Sequence, residues 1–321
     1  MKPMEILLFG GSGQIGRHLI RKLTKNNFKV TVVTRNYHQK AIVLKTQANP
    51  GYIDIVEANI FDEEKLEFLT NNKDICINLI GILNEDKKNS FKNIHTNFPF
   101  MLSKICQKNK VKKFIHISAL GIDKAIESKY AKSKLEGEKL IFKNFSEALI
   151  LRPSLVYSVD DNFTTKFMTL LNLFPIFPLY YSGNTKFAPI HVSDLCTVIY
   201  GVLENDLKSE IIECVGPEIL SFKMILEKLL NSIDKKRLLV PTPLFLAKIT
   251  ASVLEFFMKN PLLTNDQLKL LKYDNIPSGN LRNNFDLNIK SNSYFDEEII
   301  KYSFMWKETG QFSKKNYSKN D

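Results

Sequence analysis

Tyr130 and Lys134 stand four residues apart in the run Ser128-Lys129-Tyr130-Ala131-Lys132-Ser133-Lys134. On a helix that spacing puts both on one face, within mutual reach. A phenol with an ordinary pKa of about 10 exchanges protons poorly at neutral pH. A neighbouring ammonium favours the phenolate and lowers that value, and the lysine can also hold a cofactor ribose. Ser118 closes an apolar run upstream, where its hydroxyl could hydrogen-bond a substrate carbonyl and polarise it. These are the parts for hydride chemistry at a carbonyl. Alone, the Y-x-x-x-K spacing is common on surface helices and says little.

Meaning comes from the start of the chain, Ile6-Leu7-Leu8-Phe9-Gly10-Gly11-Ser12-Gly13-Gln14-Ile15-Gly16. An apolar run of strand length stops at a glycine cluster, and an amphipathic helix follows at once. Gly10 would turn the chain off the strand, since no Cβ restricts φ. Gly13 would admit a pyrophosphate to the backbone, and Gly16 would let the helix lie close on the sheet. The N–H groups of Ser12, Gln14 and Ile15 then face the phosphates at a helix N-terminus. A second strand, 29–34, ends in Arg35, where an acid would normally bind the adenosine ribose. A guanidinium there suits a 2′-phosphate instead, which favours NADP(H) over NAD(H).

The elements that must position these groups alternate. Strands are predicted at 52–57, 74–80, 113–118 and 148–151, and helices at 14–26, 62–69, 90–109 and 128–143. That alternation implies βαβ units and a parallel sheet, and the continuously apolar strands imply that both faces are covered. The expected fold class is α/β, a Rossmann-type doubly wound parallel sheet with a small C-terminal α/β cap. The dinucleotide domain spans 1–155 and the cap 156–305, with room to interleave strands with the sheet; a polar tail spans 306–321. In the cap, helices are expected at 161–173, 193–203, 221–232, 243–258 and 264–272, short strands at 187–190 and 211–215, and a loop over 276–293. In His191-Val192-Ser193-Asp194, Ser193 or Asp194 is expected to cap a helix. The stripe Leu244, Ala247, Ala251, Leu254 and Met258 follows helical periodicity. Its default reading is core, and partner or membrane contact if it proves exposed.

Composition excludes several classes. The formal net charge of +11 comes from lysine spread along the chain, with no nucleic-acid motif behind it. Cys76, Cys106, Cys196 and Cys214 form no C-x-x-C pair, and the five histidines are isolated. Reduced buried thiols are expected, and no metal. The first apolar run is already the strand of the glycine loop, so no secretory signal is expected. No stretch reaches the roughly 18 uncharged apolar residues of a span. A cytoplasmic location is expected, or a peripheral one on the inner face of the membrane.

Further motifs narrow the reading. Ala58-Asn59-Ile60 follows the third strand, Asn78-Leu79-Ile80-Gly81-Ile82-Leu83 the fourth, and Leu151-Arg152-Pro153-Ser154-Leu155-Val156-Tyr157 the sixth. Asp160-Asp161-Asn162-Phe163, Pro261-Leu262-Leu263-Thr264-Asn265-Asp266-Gln267 and Leu271-Lys272-Tyr273-Asp274-Asn275 come later. With the glycine loop and Tyr130/Lys134, the chain resembles the short-chain dehydrogenase/reductase superfamily in its extended or atypical branch. Within that branch it is similar to the nucleotide-binding accessory subunits of mitochondrial-type respiratory complex I and their bacterial relatives, from about residue 4 to about residue 305. The resemblance implies that Asn59 and Ile60 contact adenine, that Gly81 lines the cofactor's path and that Pro153 lies beside the nicotinamide. It also implies a tightly held NADPH, and complex I or quinone-biosynthesis proteins as partners. Three functions stay open: an accessory or assembly protein, an active NADPH-dependent oxidoreductase in ubiquinone biosynthesis, and an epimerase or dehydratase acting on a nucleotide sugar. Ser118, Tyr130 and Lys134 are all retained, which keeps hydride chemistry available.

Overall fold

Runs of β-branched and aliphatic residues build the sheet, and the computed structural model describes it within residues 3–257, 261 and 263–307. Its strands are β1 (Glu5–Phe9), β2 (Lys29–Thr34), β3 (Ile53–Glu57), β4 (Ile75–Asn78), β5 (Lys113–Ile117), β6 (Leu149–Pro153) and β7 (Glu210–Cys214). All pair in parallel, in the order β7-β6-β5-β4-β1-β2-β3. The order reverses between β1 and β4, and at that crevice an open α/β sheet binds its ligand. β7 is the segment expected in the cap. It returns to the sheet because Ile212 and Cys214 extend the same buried layer as Leu149 and Leu151 of β6.

Alternate residues of each strand serve opposite faces. Ile6, Leu8, Val30, Val32, Ile115 and Ile117 pack with α1 (Gln14–Lys25) and α7 (Val192–Glu204). Leu7, Phe9, Cys76 and Phe114 face the other way, toward α3 (Glu63–Thr70), α4 (Phe98–Lys108) and α5 (Lys129–Asn144). Each fully buried aliphatic side chain contributes about 1.5–3 kcal/mol relative to exposure. This double coverage is why the strands read as unbroken apolar runs. A further helix, α2 (Tyr37–Lys45), was not expected. Its apolar residues Ala41-Ile42-Val43-Leu44 are consecutive, so no stripe marks it, and only Ala41 and Leu44 are buried.

The C-terminal cap has its own core, in which α6 (Thr164–Leu173), α8 (Phe222–Ser232) and the helix Phe295–Ser303 bury Met168, Leu171, Ile225, Leu229, Phe295 and Ile299 together. The last of these helices lies beyond the expected loop. One other departure bears on the site. The helical stretch expected at 90–109 winds as a π-helix over Lys92–Asn97 before α4 begins. A π-turn widens a helix locally and is common where a side chain is re-aimed; here it contains the residue, His95, that approaches α5 most closely. A Cβ on Gly137 would stand 2.0 Å from the His95 carbonyl oxygen. Gly137→Ala must therefore separate the two helices. We expect a loss of about 3 kcal/mol or more of stability, measured by urea denaturation. An unchanged midpoint would mean that this contact yields freely.

Candidate functional site

The glycine loop turns as its residue types require. Gly10 has φ +79°, and Gly13 donates its N–H to the Gly10 carbonyl at 3.0 Å. A Cβ on Gly16 would lie 2.5 Å from that same carbonyl oxygen, so α1 can start only where no side chain intrudes. No side chain caps α1, which leaves its first N–H groups directed at the crevice, a cradle that fits a pyrophosphate. Gln14 is oriented by Ser158, donating to its hydroxyl at 2.8 Å, and Asp160 holds Arg17 at 2.5 Å. Arg35, at the end of β2, is exposed and has no ion pair among the described residues. The nearby Glu57 carboxylate accepts the Tyr37 backbone N–H at 2.9 Å and so starts the helix after β2. Asn59 is exposed and accepts the Phe61 N–H at 3.1 Å, while Ile60 is buried.

Around the reversal of strand order, the structure brings Gly81, Tyr130 and Lys134 together. The position a Gly81 Cβ would take is 3.6 Å from Lys134 Nζ. Lys134 is buried and donates to the Ile117 carbonyl at 3.2 Å; its nitrogen lies 5.7 Å from the centre of the Tyr130 ring. Burial pushes its ammonium down to about 8, with Glu138 opposing. The tyrosine departs from expectation, because burial raises its phenol above the ordinary value. Lys134 points its proton at a backbone carbonyl, so desolvation prevails over attraction. No hydrogen bond joins Ser118 to Tyr130. The Ser118 hydroxyl is buried with no partner among the described residues. Pro153 ends β6 and accepts the Leu120 N–H at 2.9 Å.

His95, isolated among the histidines in sequence, is a positioning residue. Its Nε2 accepts the Ile82 N–H at 3.1 Å, so the proton sits on Nδ1 and is donated to Ser133 Oγ at 3.0 Å. Ser133 donates in turn to the Tyr130 carbonyl at 2.8 Å. Burial first, and Lys134 second, hold this imidazole down at about 2; it is a neutral strut between the loop after β4 and α5. Beside it, Arg152 forks onto Glu138 at 2.9 and 2.6 Å, both side chains buried. That pair ties β6 to α5.

The profile of the NAD dependent epimerase/dehydratase family matches residues 6–214, well over half of the chain. The chain belongs to that family. It is 26% identical over 285 residues to the NADH-ubiquinone oxidoreductase 40 kDa subunit of Neurospora crassa, covering 88% of this chain and 74% of that protein. It is 27% identical over 304 residues to NADH dehydrogenase [ubiquinone] 1 alpha subcomplex subunit 9 of Dictyostelium discoideum, covering 94% and 84%. Among solved structures, dTDP-glucose 4,6-dehydratase from Streptomyces venezuelae, with NAD and TYD bound, superposes with a TM-score of 0.70 at 17% identity, covering 94% of this chain and 96% of that one. WbmG from Bordetella bronchiseptica, in complex with NAD, gives 0.68 at 15% identity over 95% and 94%. The two superpositions confirm the fold: a Rossmann-type parallel sheet.

In this family member the site segment is fastened by residues far along the chain. Asp266 accepts from Ser128 Oγ at 2.7 Å, Lys129 N at 2.8 Å and Tyr130 N at 3.0 Å. Its own short helix is set by a capping box of Thr264 and Gln267. Asn275 donates to the Leu120 carbonyl at 2.7 Å and accepts from Ser154 Oγ at 2.6 Å, while Tyr273 donates to Glu127 at 2.8 Å. The expected capping by Ser193 or Asp194 is not found. His191 is the N-cap residue of α7 with no side-chain cap; Ser193 instead bonds His191 Nδ1 at 2.7 Å, and Asp194 accepts the Ser293 N–H at 2.9 Å.

Asp266→Ala removes the two carboxylate oxygens that accept three hydrogen bonds at the N-terminus of α5. It is expected to cost about 1–3 kcal/mol, and hydrogen exchange should accelerate at the amides of Lys129 and Tyr130 before the helix interior. Uniform acceleration along α5 would contradict a local clasp. Lys134 gives a separate pH signature. With its folded value near 8 and an unfolded value of 10.5, the unfolded chain binds the extra proton between them. Stability should therefore rise with pH across that window, by roughly 3 kcal/mol in all. Lys134→Met should flatten the rise in urea titrations of the apoprotein; parallel curves would contradict a burdened lysine.

Proposed function

We propose that this chain is an NADPH-binding accessory or assembly protein of a NADH:ubiquinone oxidoreductase of the mitochondrial type, holding the dinucleotide as a structural ligand. The observation that carries this reading is the arrangement of Tyr130 and Lys134. The lysine donates to Ile117, the phenol is raised rather than lowered, and no hydrogen bond links either group to Ser118. An acid–base pair built for turnover needs a phenol poised nearer to neutral pH. Two relatives bearing subunit names match about nine-tenths of the chain, cap included. The cap is the part whose Asp266 and Asn275 hold the site segment. Preference for NADPH is supported by Arg35, an exposed guanidinium able to take a phosphate bidentately, and by Glu57, whose carboxylate is committed to Tyr37. Gly10 to Gly16 would cradle the pyrophosphate, Asn59 and Ile60 would lie at the adenine, and Gly81, Lys134 and Pro153 would border the nicotinamide half.

A second reading, an active reductase on a quinone precursor, is favoured by the buried, unpartnered Ser118 hydroxyl. Bound NADPH would supply the hydride. Ser118 would then orient the carbonyl, and Tyr130 would give the proton to its oxygen.

One purification separates the two readings. We expect the native protein to co-purify with the respiratory complex and to retain NADPH that added quinones leave reduced. Arg35→Ser should weaken NADPH binding by on the order of tenfold, the loss of one bidentate charged contact, and leave NADH binding unchanged. Oxidation of the nicotinamide by quinone, abolished by Tyr130→Phe, would replace the first reading with the second. Equal binding of NADH and NADPH by the unaltered chain would remove the role given to Arg35.

A further inference from the structure

The cap also reaches the crevice at the glycine loop. Ser158, Asp160 and Asp161 follow the short cap strand Val156–Tyr157. Gln14, the first residue of α1, donates from Nε2 to Ser158 Oγ at 2.8 Å, and Ser158 donates onward to Asp160 Oδ1 at 2.6 Å. The other Asp160 oxygen pairs with Arg17 Nη2 at 2.5 Å, in the same end of α1. His18 Nε2 stands 3.7 Å from Asp160 Oδ1, but burial lowers its imidazole, so Arg17 is the cation that the carboxylate holds. Asp161 fixes this segment from the other side. It is buried and accepts from Ser158 N, Phe163 N and Thr164 Oγ1 at 3.0, 2.9 and 2.6 Å. Thr164 Oγ1 bonds in turn to the Tyr302 hydroxyl at 2.9 Å, in the cap core. Ser158 and Asp160 therefore belong mechanically to the cap, and their bonds to Gln14 and Arg17 cross to the sheet domain.

Two anchors thus straddle the crevice. Asp266 fastens the cap to the start of α5, beside Tyr130. Ser158 and Asp160 fasten it to the start of α1, beside the pyrophosphate cradle. The two differ in strength. Asp266 takes three hydrogen bonds, two of them from backbone, and its own helix is closed by a capping box. The side chains of Arg17 and Asp160 are 30% and 28% exposed, where water and salt weaken an ion pair. Arg17 Nε is buried with no partner among the described residues, a donor left unsatisfied at a cost. Contacts that must open are drawn from this low-stability end. The sign of the charge matters as well. A carboxylate beside a phosphate cradle repels the phosphates, so Asp160 is a poor contact for a ligand there and a good fastening for Arg17.

We propose that Ser158 and Asp160 form a latch on Gln14 and Arg17 that must open for a dinucleotide to enter or leave, and that sets how long the ligand stays more than how tightly it binds. The proposal rests on the reading of the crevice as a dinucleotide site and adds to it the place where the crevice opens. Asp160 is a positioning residue, acting through Arg17; the phosphates themselves are left to the N–H groups of the glycine loop.

Stopped-flow fluorescence of NADPH with the full chain measures uptake and release separately. Release from the unaltered chain should quicken as salt is raised, because the latch is a partly exposed ion pair. Asp160→Asn should speed release by about fivefold, the loss of one such pair. It should speed uptake by a similar factor, leave Kd within about twofold because both rates pass through the same opening, and diminish the salt effect. Ser158→Ala cuts the bridge to Gln14 without removing a charge, and keeps the test decisive if Asp160→Asn misfolds. It should speed release and uptake by about two- to threefold, the loss of one neutral hydrogen bond, and keep the salt effect. A Kd that weakens in step with release would make Asp160 an ordinary contact for the ligand and overturn the latch. Unchanged release in both variants, or a salt effect undiminished by Asp160→Asn, would overturn it too. A chain that takes up neither NADPH nor NADH would overturn the dinucleotide reading and the latch together, whereas uptake followed by release indifferent to both substitutions would overturn the latch alone.

Discussion

The candidate site depends on one carboxylate brought from the far end of the chain. Asp266 accepts from the hydroxyl of Ser128 and from the first two N–H groups of α5. Those donors have no partner within the helix, and the positive end of its dipole favours a negative charge there. The start of α5 fixes where Tyr130 stands, and one turn later where Lys134 stands. Ser118, Tyr130 and Lys134 are near neighbours in sequence, yet their mutual geometry is set by residues more than a hundred positions away. The loop between β5 and α5 is bonded to β6 through the N–H groups of Ser118 and Leu120, and the cap adds Asn275 on the Leu120 carbonyl and Tyr273 on Glu127. The Rossmann half is thus complete as a sheet but not as a site until the cap has closed on it.

Beneath that clasp lies a buried polar layer, and its charges explain the electrostatics. Lys134, Glu138 and Arg152 are all withdrawn from water. The forked Arg152–Glu138 bonds keep the carboxylate occupied, so Lys134 gains attraction from Glu138 without a hydrogen bond, and desolvation still governs its shift. The same lysine helps keep His95 and His116 neutral. Breaking a buried pair by removing one partner is far more damaging than never having built it, so this layer resists piecemeal change. It serves rigidity well, and it offers no group that titrates near neutral pH by ordinary histidine chemistry.

Much of this was legible in the residues. The glycine spacing, the β-branched run before Arg35 and the Ser-ended fifth strand placed the crevice and most of the sheet, because periodicity and turn chemistry are local properties. The motif Thr264-Asn265-Asp266-Gln267 was visible as a motif, and its capping box as a pattern, but nothing in the sequence says that Asp266 caps another helix. His95 could not be read at all, since its role rests on a π-turn and on the missing side chain of Gly137. β7 looked like a cap strand because it follows α7 and little marks its return to the sheet. The stripe Phe295, Ile299 and Tyr302, by contrast, has plain helical spacing and was there to be seen.

The helix at 244–257 shows why burial cannot be inferred from apolar content. The stripe expected to be core is in part core: Ala247 and Ala251 are buried, Leu244 is 40% exposed, the side chain of Leu254 is not described and Met258 lies outside the described residues. Both sides of the helix are apolar, however, so periodicity alone could not say which side the protein keeps. The small residues mark it: Ala247 and Ala251 let this helix approach Leu263 and Leu268 closely, while Phe245 and Ile249 stay exposed. What the cap contributes to the crevice comes from elsewhere in it, from Asp266 on the start of α5 and Asn275 on the Leu120 carbonyl.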